Sequence, residues 1–200
     1  MRLEAMAVKF PVVDGHPNRL PFEGVLTLVD VASDKAPSGA RGHRVILTKV
    51  AAEAALPSLL GMAVDFKTGW DGHDARQKCG IITAASVNGC LLRVSGYVFA
   101  RDFPELETQM QKSGDAGLGM SYELADAHVA DMQASVWVLT KATFTGAAIL
   151  LREKAAYRST SFRLKTTVAA SCGRRSTVTR AERIAATRRM PSARGTRLKI

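Results

Sequence analysis

Two short segments of this chain carry the side chains that acyl transfer requires. The segment Gly117–Glu123, with the sequence GLGMSYE, contains Ser121, and the loop Trp70–Asp74, with the sequence WDGHD, contains His73. A serine hydroxyl is a weak nucleophile at neutral pH unless a neighbouring imidazole accepts its proton. The fold must therefore bring these two distant residues together if the chain is to act on an acyl group.

Strands dominate the part of the chain that would position both residues. Runs of aliphatic and β-branched residues are typical of strands, and turn-forming residues separate them. The predicted strands are Phe22–Val31, Arg44–Leu47, Met62–Phe66, Leu118–Leu124 and Ser135–Leu151. The last run is long enough for two strands or for one strand bent at Gly146. Ser121 would thus lie within a strand, and His73 would lie in the polar loop between Phe66 and Lys78.

A hairpin is the clearest local prediction. The runs Lys78–Val87 and Cys90–Ala100 are joined by Asn88-Gly89. This pair tolerates the positive φ angles of a type I′ turn.

Two helices are predicted from their caps. Thr48 is placed to cap a helix over Lys49–Leu56. Asp102 and Glu105 have the spacing of a capping box for a helix over Phe103–Ser113, with Gly114 as its stop. The resulting fold class is mainly β with two or three helices between the strands, an α+β arrangement.

The basic charge is confined to the end of the chain. The net charge is +10, yet residues 1–162 hold 17 basic and 17 acidic side chains, whereas residues 163–200 hold 11 basic side chains and only Glu182. We predict three parts: a lead segment at 1–21, a body at 22–162 and a basic, disordered tail at 163–200. The tail either remains an unstructured extension or contacts nucleic acid phosphates through its arginines.

Several classes of protein and site are disfavoured by the sequence. Three cysteines, Cys79, Cys90 and Cys172, match neither a zinc module nor a disulfide framework. No apolar run reaches the roughly 18 residues of a membrane span. No phosphate-binding glycine loop is present, so we expect no cofactor. A metal site built from Asp65, Asp71, His73 and Asp74 is an alternative use of the loop, but its spacing fits no familiar pattern.

Six pieces of the body resemble, in the same order, the prohead proteases of tailed phages. These are serine peptidases of capsid maturation, related in fold to the herpesvirus assemblins. The pieces are Phe22–Asp34, Ala55–Phe66, Asp71–Ile82, Asp102–Glu105, Gly117–Glu123 and Phe144–Ala156. The resemblance covers residues 20–162.

The resemblance implies a fold, an activity and partners. The fold would be a small, closed or partly closed β-barrel flanked by two or three helices. The activity would be a serine endopeptidase that cleaves scaffold and major capsid proteins, and itself, inside the procapsid in the bacterial cytoplasm. His73 would be the general base and Ser121 the nucleophile. A homodimer is a further expectation, because the herpesvirus relatives need dimerisation for activity.

The sequence departs from the family at two points. Many relatives read Gly-Leu-Ser-Ile-Gly-Tyr where this chain has the segment 117–122, so the serine stands two residues later. A shift of two keeps the hydroxyl on the same face of a strand. The acid that many relatives carry in the late strand is missing from residues 143–147, so the residue that orients His73 is open. Following the second histidine of the herpesvirus relatives, we expect His128 in that role, with Asp126 and Glu123 as alternatives.

Two other functions remain open from the sequence. The chain could be an inactive descendant retained for capsid assembly, which would bind capsid protein without cleaving it. It could also be a nucleic-acid-binding protein whose affinity depends on the basic tail.

Overall fold

The computed structural model describes residues 2–4, 16–114 and 117–165. The chain divides into two units, residues 1–167 and residues 168–200, and the second unit lies outside the described residues. The predicted tail, its possible nucleic acid contacts and Cys172 therefore lie there, apart from the first three residues of the tail. Most of the predicted lead segment is also outside the described residues. Within the described part of the chain, no helix has the length and apolar character needed to cross a bilayer.

Strands make up most of the described chain. They are β1 (Arg2–Glu4), β2 (Leu20–Leu28), β3 (Arg44–Leu47), β4 (Ala63–Phe66), β5 (Lys78–Asn88), β6 (Leu91–Val98), β7 (Leu118–Val129), β8 (Val136–Leu151) and β9 (Ser161–Leu164). The helices are α1 (Lys49–Ala55) and α2 (Glu105–Ser113), and short 3-10 turns span Ser38–Ala40, Leu56–Leu59 and Arg152–Lys154. The predicted fold class, mainly β with few helices, is confirmed.

Seven of these strands close into a barrel. The pairing runs β5-β4-β8-β7-β9-β2-β6, and an antiparallel β5–β6 pairing completes the circle. Most neighbours are antiparallel, but β4 runs parallel to β8. Strand β3 pairs with residues 136–139 at the beginning of β8, and β1 pairs with β5. Because the ends of the sheet pair with each other, the closed barrel leaves few unpaired strand edges.

Apolar side chains fill the inside of the barrel. The largest fully buried ones include Phe22, Phe66, Phe162, Leu26 and Met120. Phe22 and Phe162, from the neighbouring strands β2 and β9, have ring centroids 5.2 Å apart. Side chains alternate between the core and the outer surface along parts of the strands, as at residues 137–139 of β8, whereas residues 24–27 of β2 and 146–150 of β8 are all buried.

The helix predictions hold in position but differ at one cap. Thr48 caps α1 as predicted, because its Oγ1 accepts a hydrogen bond from the Ala51 N–H at 3.2 Å. The predicted capping box at α2 is wrong. The helix begins after Pro104 without a side-chain cap, and the Asp102 carboxylate instead accepts a hydrogen bond from the side-chain amide of Asn18 at 2.8 Å.

The hairpin is present, with its turn shifted by one residue. Asn88 pairs with Leu91, so the two turn residues are Gly89 and Cys90. The φ of Gly89 is 59°, while that of Cys90 is not positive. Glycine at the first turn position is typical of a type II′ turn, whereas a type I′ turn needs positive φ at both positions.

Gly96 permits the close approach of β6 to β5, and its replacement is expected to destabilise the barrel. A Cβ atom at this position would lie 1.9 Å from the Ile81 carbonyl oxygen, which is backbone and cannot turn aside. We expect Gly96→Ala to lower the free energy of unfolding by about 1–3 kcal/mol, as for other overpacked sites.

Urea unfolding measures this effect, with Gly39→Ala as the matched control. A Cβ at Gly39 would meet nothing within 4 Å. The control should therefore be unchanged or slightly more stable, by up to about 1 kcal/mol. Equal stability of the two variants would contradict the close approach.

Candidate active site

Three neighbouring strands place Asp65 and Ser121 in one row across the sheet. Asp65 on β4 is the register partner of Ala148 on β8, and Ala148 is in turn the partner of Ser121 on β7. Residues directly opposite each other on paired strands project from the same face of the sheet. Ala148 is fully buried. Its methyl group leaves room for a side chain to lie between Asp65 and Ser121.

The loop that carries His73 is anchored at Trp70. The indole ring stacks on Phe66 with centroids 4.7 Å apart, and the Trp70 carbonyl accepts a hydrogen bond from the Leu151 N–H at 2.8 Å. Trp70 has a φ of 54°, an unfavourable conformation for a bulky residue. Its buried contacts hold the chain in this turn. Asp74 fixes the other side of the loop by accepting a hydrogen bond from the Arg76 N–H at 3.0 Å.

The anchored loop brings His73 into contact with Ser121. His73 Nε2 and Ser121 Oγ are 3.3 Å apart. The His73 side chain is only 17% exposed, so the contact is largely shielded from water while one edge remains open. The structure thus brings together the two residues that the sequence singles out for acyl transfer.

Asp65 lies on the far side of the imidazole. Its Oδ1 is 3.4 Å from His73 Nδ1, and within the described residues neither atom has a hydrogen-bond partner. The separation is long for a hydrogen bond but close for an ion pair. A carboxylate at Nδ1 favours the tautomer with its proton on Nδ1, which leaves Nε2 free to accept the Ser121 proton.

The Asp65 carboxylate is ionised although it is buried. Its other oxygen, Oδ2, accepts a hydrogen bond from Lys78 Nζ at 2.7 Å. Burial alone raises the pKa of this carboxyl, but the contacts with His73 and Lys78 outweigh that effect and hold the pKa below its ordinary value. A permanent negative charge therefore faces the imidazole at neutral pH.

The residues expected to orient His73 do not reach it. His128 lies seven residues beyond Ser121 on β7, roughly 20 Å along the strand, where it is exposed and pairs with Lys141. Asp126 is exposed at a bulge with a φ of 50°. Glu123 is also exposed, with its carboxylate beside Gly146. The position beside Nδ1 is filled by Asp65, which corrects the expectation of His128, Asp126 or Glu123 there.

The sequence pattern indicates a role for Asp65 only as a possible metal ligand. The signal for its actual position was a carboxylate between Val64 and Phe66 in an apolar strand, because a buried charge requires a partner. The other candidate ligands have separate contacts: Asp71 pairs with Lys67 at 3.1 Å and Asp74 with Arg76 at 3.3 Å. No cluster of three metal-ligating side chains occurs among the residues that the structure describes.

A second potential nucleophile, the Cys79 thiol, lies close to Asp65. It is fully buried, and its thiol donates a hydrogen bond to the Val64 carbonyl at 3.4 Å. Burial raises the pKa of this thiol to about 12. Cys79 is therefore a neutral thiol at physiological pH, and the thiolate needed for nucleophilic attack does not form.

Gly119, two residues before Ser121 in β7, leaves no room for a side chain. A Cβ at Gly119 would lie 2.7 Å from the Thr160 hydroxyl and 3.1 Å from the Arg152 Cα. A serine side chain at position 119 would therefore collide with these atoms. Ser121 is the next residue on the same face of the strand.

The Ser121–His73 pair opens into a groove of about 1090 Å³. This volume is slightly above the range of roughly 300–1,000 Å³ that is typical of small-molecule sites. Apolar and charged side chains line the groove together. They include Leu124, Val129, Trp137, Leu139, Lys35, Arg41, Lys154 and Glu123.

Comparison with known proteins gives a structural likeness but no family. No protein-family model matches the chain, and a search of curated proteins finds no match. Among solved structures, the chain is similar to the KSHV protease crystallised with a hexapeptide phosphonate inhibitor, at 10% identity and a TM-score of 0.42. The match covers 74% of this chain and 65% of the KSHV protease chain, just under two thirds of its length.

Proposed function

We propose that this protein is a serine endopeptidase in which Ser121, His73 and Asp65 are the nucleophile, the general base and the orienting acid. The proposal is carried by one observation. The Ser121 hydroxyl lies 3.3 Å from His73 Nε2, while the buried Asp65 carboxylate lies 3.4 Å from the other ring nitrogen. This order of hydroxyl, imidazole and carboxylate is what nucleophilic acyl transfer requires.

The chemistry of each residue follows from its contacts. Ser121 Oγ attacks the scissile carbonyl carbon as its proton passes to His73 Nε2. The resulting imidazolium is stabilised by Asp65, and it donates the proton to the amide nitrogen as the C–N bond breaks. A water molecule then attacks the acyl carbon and gives a proton to Nε2. The proton returns to Oγ as the ester bond to Ser121 breaks.

The surroundings of Ser121 support a peptide as the substrate. Beyond Leu118, β7 pairs only with β8 among the described residues, so its other edge carries backbone groups available to an extended chain. Addition of a peptide strand to an open sheet edge is a common mode of recognition. The groove at Ser121, with a volume of about 1090 Å³, is also large enough for several peptide residues.

The biological role that we propose is procapsid maturation. It rests on the six sequence pieces that resemble the prohead proteases and on their order along the chain. The substrates would then be scaffold and major capsid proteins, and cleavage would take place inside the procapsid.

Co-expression tests this role. When the full chain is produced with the scaffold and capsid proteins encoded by neighbouring genes, we expect shortened products that are absent when Ser121→Ala replaces the wild type. Capsid-protein binding without any cleavage would contradict the proposal and would favour an inactive assembly protein.

A further inference from the structure

Lys78 holds the Asp65 carboxylate from the side opposite His73. Its Nζ lies 2.7 Å from Oδ2, while Oδ1 of the same carboxylate lies 3.4 Å from His73 Nδ1. The Asp65 side chain is 2% exposed and that of Lys78 is 40% exposed. One buried carboxylate is thus shared between the imidazole and an ammonium group that reaches solvent.

An irregularity in the sheet produces this arrangement. The register between β4 and β5 shifts between Val64 and Asp65, so that Asp65 faces Lys78 at the start of β5. Bulges of this kind redirect side chains and are frequent beside active sites. With Oδ2 held by Lys78, the carboxylate cannot rotate freely, and Oδ1 stays directed at Nδ1.

The Lys78 ammonium also offsets the negative charge that Asp65 presents to the His73 imidazole. The ammonium stabilises ionised Asp65 and competes with a protonated His73 for it. Two further ionisable groups act near this cluster among the described residues: the Cys79 thiol, which burial keeps neutral, and Glu105 of α2, whose negative charge acts on Cys79. Removal of the ammonium would leave a buried carboxylate that attracts a proton onto itself or onto the imidazole.

We propose that Lys78 is a positioning residue of the site, which orients Asp65 toward His73 and offsets the negative charge that Asp65 presents to the imidazole. The inference rests on the proposed function, because it assigns Lys78 a role toward the same serine and histidine. Lys78 acts through Asp65 and touches no reacting atom.

The test measures how fast a fluorophosphonate probe labels Ser121 in the full-length protein between pH 5 and pH 9. In Lys78→Met, which keeps the length of the side chain but not its charge, we expect labelling at pH 6 to fall about tenfold. At pH 9 the expected loss is threefold or less, on the order of 0.7 kcal/mol. The acidic limb of the pH profile therefore moves to higher pH. Lys78→Arg restores the charge and should recover most of the rate at pH 6.

Lys165→Met is the matched control. Lys165 forms an ion pair of 2.9 Å with Glu23, both side chains are about half exposed, and neither residue lines the groove at Ser121. This variant should label at the wild-type rate throughout. Urea unfolding of each variant separates lost stability from lost positioning, because a purely structural role lowers the folded fraction without moving the pH limb.

The outcomes distinguish this inference from the function on which it rests. Suppose that the probe labels the wild type and that Lys78→Met shows the same labelling rate and the same acidic limb of the pH profile. The role of Lys78 is then overturned, while the peptidase proposal stands. If the wild type does not label at any pH, both are overturned. Should Lys78→Met fail to fold, Lys78→Arg decides, because an acidic limb displaced despite the retained charge would contradict the proposal.

Discussion

Replacement of Ser121 by alanine is expected to abolish covalent labelling by a fluorophosphonate and to reduce peptide hydrolysis to background, a loss on the order of 10⁶-fold. The reason is that Ser121 Oγ is the hydroxyl that His73 Nε2 contacts, at 3.3 Å. The nearby Cys79 cannot take its place, since this thiol is buried and its pKa is raised to about 12. Mass spectrometry of the intact protein measures the adduct.

Ser113→Ala provides the matched serine control. Ser113 ends α2, where its hydroxyl accepts a hydrogen bond from the Gln109 side chain at 3.1 Å, and it does not line the groove. Labelling of this variant should equal that of the wild type. An adduct that persists in Ser121→Ala would show that another side chain is the reactive nucleophile.

Replacement of Asp65 by asparagine is expected to lower the labelling rate by about 10⁴-fold with the fold retained. Lys78 Nζ lies 2.7 Å from Oδ2 and requires an acceptor there. The amide oxygen must therefore face Lys78, which turns the amide NH₂ group toward His73 Nδ1. An imidazole that accepts at Nδ1 carries its proton on Nε2 and cannot accept the proton of Ser121.

Two variants test the alternative orienting residues in the same assay. Asp126→Asn and His128→Gln change exposed side chains near the far end of β7, and asparagine tolerates the φ of 50° at position 126. We expect both variants to keep the wild-type rate. A large loss in His128→Gln together with an active Asp65→Asn would restore the role first expected for His128 and contradict the geometry.

The sequence predicted the elements whose signals are local. The strand Arg44–Leu47 and the Thr48 cap lie where their residue types place them. The irregularity near Gly146 is also present, as a bulge in the pairing of β8 with β7. Each of these features depends on a few neighbouring residues, so that propensity and spacing determine it.

Features that depend on distant partners could not be predicted in the same way. Asp102 does not cap α2 because Asn18, remote in the sequence, binds its carboxylate. The role of Asp65 depends on the register of β4, β8 and β7, which places it in one row with Ala148 and Ser121. The residues next to Asp65 in the sequence contain no pattern from which that strand register could be predicted.

A crystal structure of the protein after reaction with a fluorophosphonate tests the central claim most directly. The account predicts phosphorus bonded to Ser121 Oγ, His73 Nε2 within hydrogen-bond reach of that oxygen, and Asp65 against Nδ1. An unmodified Ser121, or an imidazole whose Nε2 lies more than about 5 Å from Oγ, well beyond the reach of a hydrogen bond, would contradict it.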